Sequence, residues 1–266
     1  MKVDLSGVPE TLLMALWGRA KVSKEDNPVL KDSKAIEIVE NLIEYDFAKL
    51  DKHLQKYTNF VWLVRARMFD DTVRRFTAEH PEATIVNLGA GLDTTFFRVD
   101  NGSIKWYDLD LHDVIEIRKK IMPETDRMKC MAKSLMDTRW MKDIKDIKDG
   151  ILFFSGGVLV YFEETEIKKL LSKLADRFPG GEIVFDTMSP FMVSQGNKLI
   201  KDSGIENAFI KWGIDDTKAI SKWDPRITVL EDYTLYSRIE NKNYWGQDVV
   251  MTMDYIDKTR GRVLFT

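Results

Sequence analysis

Short apolar runs ending in glycine or aspartate alternate along the chain with longer stretches in which apolar residues recur every three or four positions. That alternation predicts an α/β fold, a parallel sheet with crossover helices. The expected strands are Ala83 to Leu88, Ser103 to Asp110, Met128 to Lys133, Ile151 to Gly156 and Glu182 to Asp186. Helices are expected at His112 to Ile121, Thr138 to Lys145 and Glu163 to Arg177. In the last, Ile167, Leu170, Leu171 and Leu174 keep helical spacing and Pro179-Gly180-Gly181 stops it. Ahead of the first strand, Ser33 to His80 lacks strand character, and Ile36, Val39, Leu42 and Ile43 keep a helical period. After Asp186 the pattern loosens through Ser189 to Trp223, a candidate lid. The tail predicts a strand at Ile227 to Tyr236, a helix at Asp248 to Lys258 and a terminal strand at Arg262 to Thr266. The expected organisation is a single domain over 1–266: a helical cap at 1–80, a core at 83–186, a lid at 187–225 and C-terminal strands at 226–266.

The composition narrows the chemistry. Across 266 residues, 40 Lys and Arg face 43 Asp and Glu, a net charge of −3 with no basic footprint for nucleic acid. Cys130 stands alone, which excludes an intrachain disulfide and a thiolate zinc cluster and reads as a cytoplasmic protein. His53, His80 and His112 fall in no metal-binding spacing, so no metal is expected. The amino terminus lacks the apolar core of a signal peptide, and no apolar run approaches the roughly 18 residues of a membrane span.

The most informative segment is a strand running straight into Gly89-Ala90-Gly91. Glycines there permit a tight bend and close backbone approach to a ligand at the carboxyl end of the first strand. The next strand ends with Asp108 and Asp110, about twenty positions after the glycines. A carboxylate at that point accepts from both hydroxyls of a ribose, while the other acid is expected to cap the following helix. A dinucleotide fingerprint requires a third glycine at position 94, where the chain has Thr94. That points away from a pyrophosphate and towards S-adenosylmethionine, whose amino-acid carboxylate needs a cation. On a helical wheel, Val61, Val64, Met68, Phe69, Thr72 and Phe76 share a side with Arg65 in its middle, whereas Arg67 and Arg74 fall outside it. A guanidinium on an apolar face must meet an acid, either from the protein or from a ligand. Gly156 and Tyr161 draw attention because they follow the fourth strand, where small residues leave room for a ligand.

Three segments, Ile85-Val-Asn-Leu-Gly-Ala-Gly-Leu-Asp-Thr-Thr-Phe-Phe-Arg98, Trp106-Tyr-Asp-Leu-Asp-Leu-His-Asp-Val-Ile115 and Gly157-Val-Leu-Val-Tyr161, resemble the leucine carboxyl methyltransferase family, including the branch similar to tetracenomycin polyketide synthesis methyltransferases. The family's upstream Arg-x-Arg-x-Phe-Asp pattern is similar to Arg65-Ala-Arg-Met-Phe-Asp70. The resemblance implies a class I methyltransferase fold: a Rossmann-like, doubly wound, mostly parallel seven-stranded sheet with extra N-terminal helices. It also implies that Arg65 binds the methionine carboxylate, that Gly89, with Ala90 and Gly91, lines the pocket, and that Asp110 holds the ribose. The family's Asp-Leu pair beside the adenine falls on Ser134-Leu135, and its glutamate before Gly-Val-Leu falls on Gly156.

The implied reaction is in-line transfer of a sulfonium methyl to an acceptor oxygen, for which alignment and exclusion of water are the protein's main contributions. A small-molecule acceptor is expected, polyketide-like or a carboxylate, and no particular side chain is singled out as catalytic. The competing readings are a methyltransferase of a protein carboxyl terminus, a binding protein without turnover and, more remotely, a nicotinamide-dependent oxidoreductase. Oligomeric state is not readable.

Overall fold

All five expected core strands form, four of them where glycine or aspartate ends an apolar run. In the computed structural model, which describes residues 3–4, 10–26, 28–47, 50, 56–202, 209–240, 242, 245–261 and 263–265, these are β3 (Thr84–Leu88), β4 (Lys105–Asp110), β5 (Met128–Ala132), β6 (Ile151–Ser155) and β7 (Glu182–Thr187). With β8 (Asp232–Thr234) and β9 (Val263–Phe265) they make a seven-stranded sheet in the order β5-β4-β3-β6-β7-β9-β8. The first five run parallel, and β9 lies antiparallel to both β7 and β8. The expected α/β, mostly parallel seven-stranded architecture is therefore present.

Alternation along each strand feeds two cores. Ile85, Trp106, Leu152, Phe154 and Val184 face α3 (Lys56–Glu79) through Val64, Met68, Phe69 and Phe76. Val86, Leu109, Phe153 and Phe185 face α6 (Glu164–Arg177) through Ile167, Leu170, Leu171 and Leu174. A capping box between Glu163 and Glu166 starts α6 and satisfies the first amides of the helix. A third cluster joins α1 (Glu10–Val22) and α2 (Ser33–Glu37), which runs into a π-helical turn at Ile38–Leu42, to Leu92, Ile121 and Met122 beside the first glycine turn.

The structure departs from the sequence pattern in four places. Inside the stretch read as wholly helical, β2 (Ile43–Glu44) pairs in parallel with β1 (Val3–Asp4), because a partner strand from far upstream outweighs the local helical period. The segment Ile227 to Tyr236 forms a strand only at Asp232–Thr234, where it pairs with β9. Thr138 to Lys145 shortens to a 3-10 turn at Thr138–Lys142. The loosely patterned lid stretch contains α7 (Pro190–Asp202). The remaining helices are α4 (Phe96–Val99), α5 (His112–Ile121), which matches its expected bounds, and α8 (Gln247–Lys258), close to them. Residues Arg262 and Thr266 of the expected terminal strand lie outside the described residues. Among the described residues no helix is long and apolar enough to cross a membrane.

Candidate active site at the carboxyl end of the sheet

Strand order reverses between β3 and β6, and the crevice beyond their carboxyl ends is where doubly wound sheets bind ligands. Gly89 and Gly91 both turn there with positive φ, 76° and 47°. A Cβ added to Gly89 would lie 2.6 Å from Val158 Cγ2, so the turn after β3 is pressed against the turn after β6. The amides of Gly89 and Ala90 donate to the Leu109 carbonyl at 2.8 and 3.0 Å, and that of Gly91 donates to Asp110 Oδ2 at 2.7 Å. With these three amides engaged within the protein, the turn is no pyrophosphate cradle.

The two acids ending β4 have separated roles. Asp108 is fully buried: Arg118 Nη2 and Nε donate to its Oδ2 at 2.7 and 2.9 Å, and Trp106 Nε1 donates to its Oδ1 at 2.9 Å. Asp110 is partly exposed, and each of its oxygens accepts one backbone amide, Oδ2 from Gly91 and Oδ1 from Leu111. Burial pushes its carboxyl above the ordinary value. Neither acid supplies a side-chain cap for α5, contrary to the expectation that one would, because the bend places Leu111 at the N-cap. The Lys133 amide donates to the Asp110 carbonyl at 2.9 Å, so exposed Ser134 and buried Leu135 follow directly after the pairing of β5 with β4.

On the other side of the crevice, α3 delivers Arg65. As the wheel predicts, Val64, Met68, Phe69, Thr72 and Phe76 are buried while Arg67 and Arg74 are exposed. The acid that Arg65 meets is Asp186 at the end of β7: Nη1 lies 3.2 Å from Oδ2. The Gly157 amide donates to Asp186 Oδ1. Gly156 lies against Phe69 of the same helix, where a Cβ would sit 3.0 Å from Cε2.

The position that lacks the third glycine has a structural explanation. Thr94 is buried and donates to Asp32 Oδ2 at 2.6 Å. Arg19 and Arg98 donate to the same oxygen at 3.1 and 2.9 Å, and Arg98 also grips Asp70 with two bonds of 2.8 and 2.9 Å. This network ties α1, the start of α2, α3 and the glycine turn together, and Arg19 adds a bond to the Leu92 carbonyl. Leu12 of α1 contributes directly, since a Cβ on Gly91 would meet it at 3.0 Å.

Beyond β6, the turn at Leu159–Tyr161 carries the lid. The amides of Lys211 and Trp212 donate to the Val160 carbonyl, and Val160, Met188 and Ile210 form a small core with Met192 and Val193 of α7. Tyr161, Phe191 and Phe209, each next in sequence to one of these residues, remain exposed.

The residues singled out from the sequence thus converge at one end of the sheet. Gly89, Ala90, Gly91 and Asp110 form one half, with Ser134 and Leu135 beside it; Arg65 and Gly156 form the other. The sequence reading missed Asp186, although an acid ending the fifth strand was in view, and it missed Asp32 and Arg98, which carry no spacing signal. Leu111, 57% exposed next to Asp110, was also overlooked.

This strand order and switch-point glycine turn are those of a Rossmann-like, doubly wound sheet with its ligand crevice at the carboxyl end. A family model described as leucine carboxyl methyltransferase matches residues 12–175. The chain is 29% identical over 236 residues to the tetracenomycin polyketide synthesis O-methyltransferase TcmP of Streptomyces glaucescens, covering 88% of this chain and 85% of that one. It is 30% identical over 283 residues to the S-adenosyl-L-methionine-dependent methyltransferase dpfgK of Gibberella zeae, covering 96% and 93%. In fold it is similar to a solved SAM-dependent methyltransferase from Anabaena variabilis, with a TM-score of 0.50 and 12% identity over 71% of this chain and 84% of that one. The chain belongs to the leucine carboxyl methyltransferase family; it is a methyltransferase, and S-adenosylmethionine is its methyl donor.

Proposed function

We propose that this protein, as one methyltransferase domain over residues 1–266, is an O-methyltransferase of a small-molecule acceptor. Its cofactor site is built from Arg65, Gly89, Ala90, Gly91, Asp110, Ser134, Leu135 and Gly156. The observation that carries the reading is the relationship, across 88% of the chain, to an O-methyltransferase of polyketide synthesis. The lid supports it, because Tyr161, Phe191 and Phe209 are exposed aromatic side chains, each beside a residue of the small core under the lid, that an aromatic or polyketide-like acceptor would cover.

The residues present fit the cofactor. Arg65 is a cation for an amino-acid carboxylate, Asp110 keeps acceptor capacity on both oxygens for ribose hydroxyls, and exposed Leu111 offers an apolar face for the adenine. A side chain at Gly157, where a Cβ would lie 2.6 Å from Arg65 Nη1, would crowd the cradle. When bound, S-adenosylmethionine supplies a methyl group that passes in line to the acceptor oxygen. The protein's residues align and desolvate: Arg65 and Asp110 would hold the two ends of the donor, while α1 packs Leu12 against the glycine turn and the lid is bonded to the turn after β6.

A panel of small phenols and carboxylic acids, alongside peptides with free carboxyl termini, tests the acceptor class. Incubation with labelled methyl donor is expected to label oxygen in the small molecules, whereas labelling of peptides alone would overturn the reading. Asp110→Asn is expected to weaken S-adenosylhomocysteine binding about tenfold, the loss of one charge-assisted hydrogen bond of about 1.5 kcal/mol. Because burial raises the Asp110 pKa, protonation removes acceptor capacity at a higher pH than for an ordinary aspartate near 4. Affinity should therefore decline on acidification while the protein is still folded, and Asp110→Asn should flatten that decline in titrations at several pH values.

A further inference from the structure

Asp186 has no place in the cofactor site as the sequence reads it, yet it joins three of the elements that build the crevice. It ends β7, is fully buried, faces Arg65 of α3 across 3.2 Å, and accepts the amide of Gly157 in the turn after β6. Gly157 adopts φ 73°, and its missing side chain is what lets the guanidinium approach. The side chain of Arg65 keeps 13% exposure while that of Asp186 keeps none. The cation reaches the crevice and the anion does not.

We propose that Asp186 is a positioning residue that clamps Arg65 for the cofactor's amino-acid end; the inference rests on the proposed role of Arg65. An arginine has a long stem with many rotamers, and a carboxylate ligand that had to order it would bind more weakly. Asp186 holds one corner of the guanidinium fork, Nη1. With that corner held the guanidinium plane is steadied, and its other edge would be the one offered to a carboxylate, whose bidentate recognition needs a fixed plane. The clamp also keeps the local charge balanced: Arg65 and Asp186 together are neutral, as is the zwitterionic amino-acid end that they face. Asp186 acts through Arg65 and touches neither the transferred methyl group nor the acceptor.

Asp186→Asn keeps an oxygen for the Gly157 amide and alters chiefly the charge facing Arg65, which makes it the informative substitution. Isothermal titration with S-adenosylhomocysteine is expected to show affinity about tenfold weaker, and steady-state assays a similar rise in KM for S-adenosylmethionine with kcat within about twofold. In an Arg65→Ala background the same substitution should add less than about twofold, because the group it positions is gone. An undiminished tenfold effect in that background, or a fall in kcat at constant KM, overturns the proposal. Should Asp186→Asn fail to fold, Gly157→Ala tests the clamp from the other side: its Cβ displaces Nη1, and the same rise in KM with kcat preserved is expected, an unchanged KM counting against the clamp. If Arg65→Ala alone leaves affinity unchanged, the cofactor-site reading fails and the clamp with it. If Arg65→Ala weakens binding and Asp186→Asn does not, only the clamp fails.

Discussion

Arg65→Ala is expected to weaken S-adenosylhomocysteine binding about a hundredfold in isothermal titration. A guanidinium that meets a carboxylate through charge-assisted hydrogen bonds contributes about 3 kcal/mol, and each 1.4 kcal/mol is a factor of about ten in affinity. Its stem lies on the buried face of α3 and its fork beside Asp186. Arg67 is the control. Two residues away on the same helix, it is 45% exposed and paired with Asp71, so Arg67→Ala should leave the affinity within about twofold. Equal losses in both variants would mean general electrostatics rather than a specific contact, and unchanged affinity in Arg65→Ala would remove that residue from the site.

Arg98→Met is expected to have the largest effect on stability. Asp32 and Asp70 are fully buried, and Arg98 bonds to both. Removing it strands carboxylates in a medium that solvates them poorly, a loss of about 3–5 kcal/mol. For a chain of this size that is a fall of about 10 °C in the unfolding midpoint by calorimetry. The two carboxylates differ in the intact protein, since burial holds Asp70 above its ordinary value even beside Arg98, and the acid-side loss falls to Asp32. Arg98 and Arg19 hold the Asp32 carboxyl below its ordinary value despite burial, so its contribution is present above that value and is lost only as pH falls through the lower folded one. Without Arg98 the carboxylates can relieve the unpaired charge by taking up protons. The deficit relative to the unaltered protein should therefore be smaller at pH 5 than at pH 8. An equal deficit at both values would mean that the loss comes from packing and not from charge. Because the network reaches the glycine turn through Thr94, affinity for S-adenosylhomocysteine should fall as well.

The parts of the site that were legible share one property: their signal is local. Gly89 and Gly91 bend the chain where they stand, Asp110 follows its own strand, and Arg65 is found by the period of its own helix. The parts that were not legible depend on partners distant in the chain. Thr94 looked like a missing glycine, and only its contact with Asp32, 62 residues upstream, explains the hydroxyl. Gly156, which stands where the family has a glutamate, is explained by the approach of Phe69 from α3. The strand expected from Ile227 begins only at Asp232, where β9 pairs with it, and the segment itself does not encode that partner.

The sequence by itself determined the five parallel strands, the helices at His112–Ile121 and Glu164–Arg177, the glycine turn, the acid that follows it and the presence of a cation on a buried face. Those features arise from backbone geometry and side-chain periodicity over a few residues. Only the tertiary structure decided that the acid meeting Arg65 is Asp186, 121 residues away, and that Asp108 is spent on Arg118 while Asp110 keeps acceptor capacity. Ion pairing selects partners by distance in space after the sheet has assembled, and no local pattern specifies which of the 43 acidic residues will arrive there.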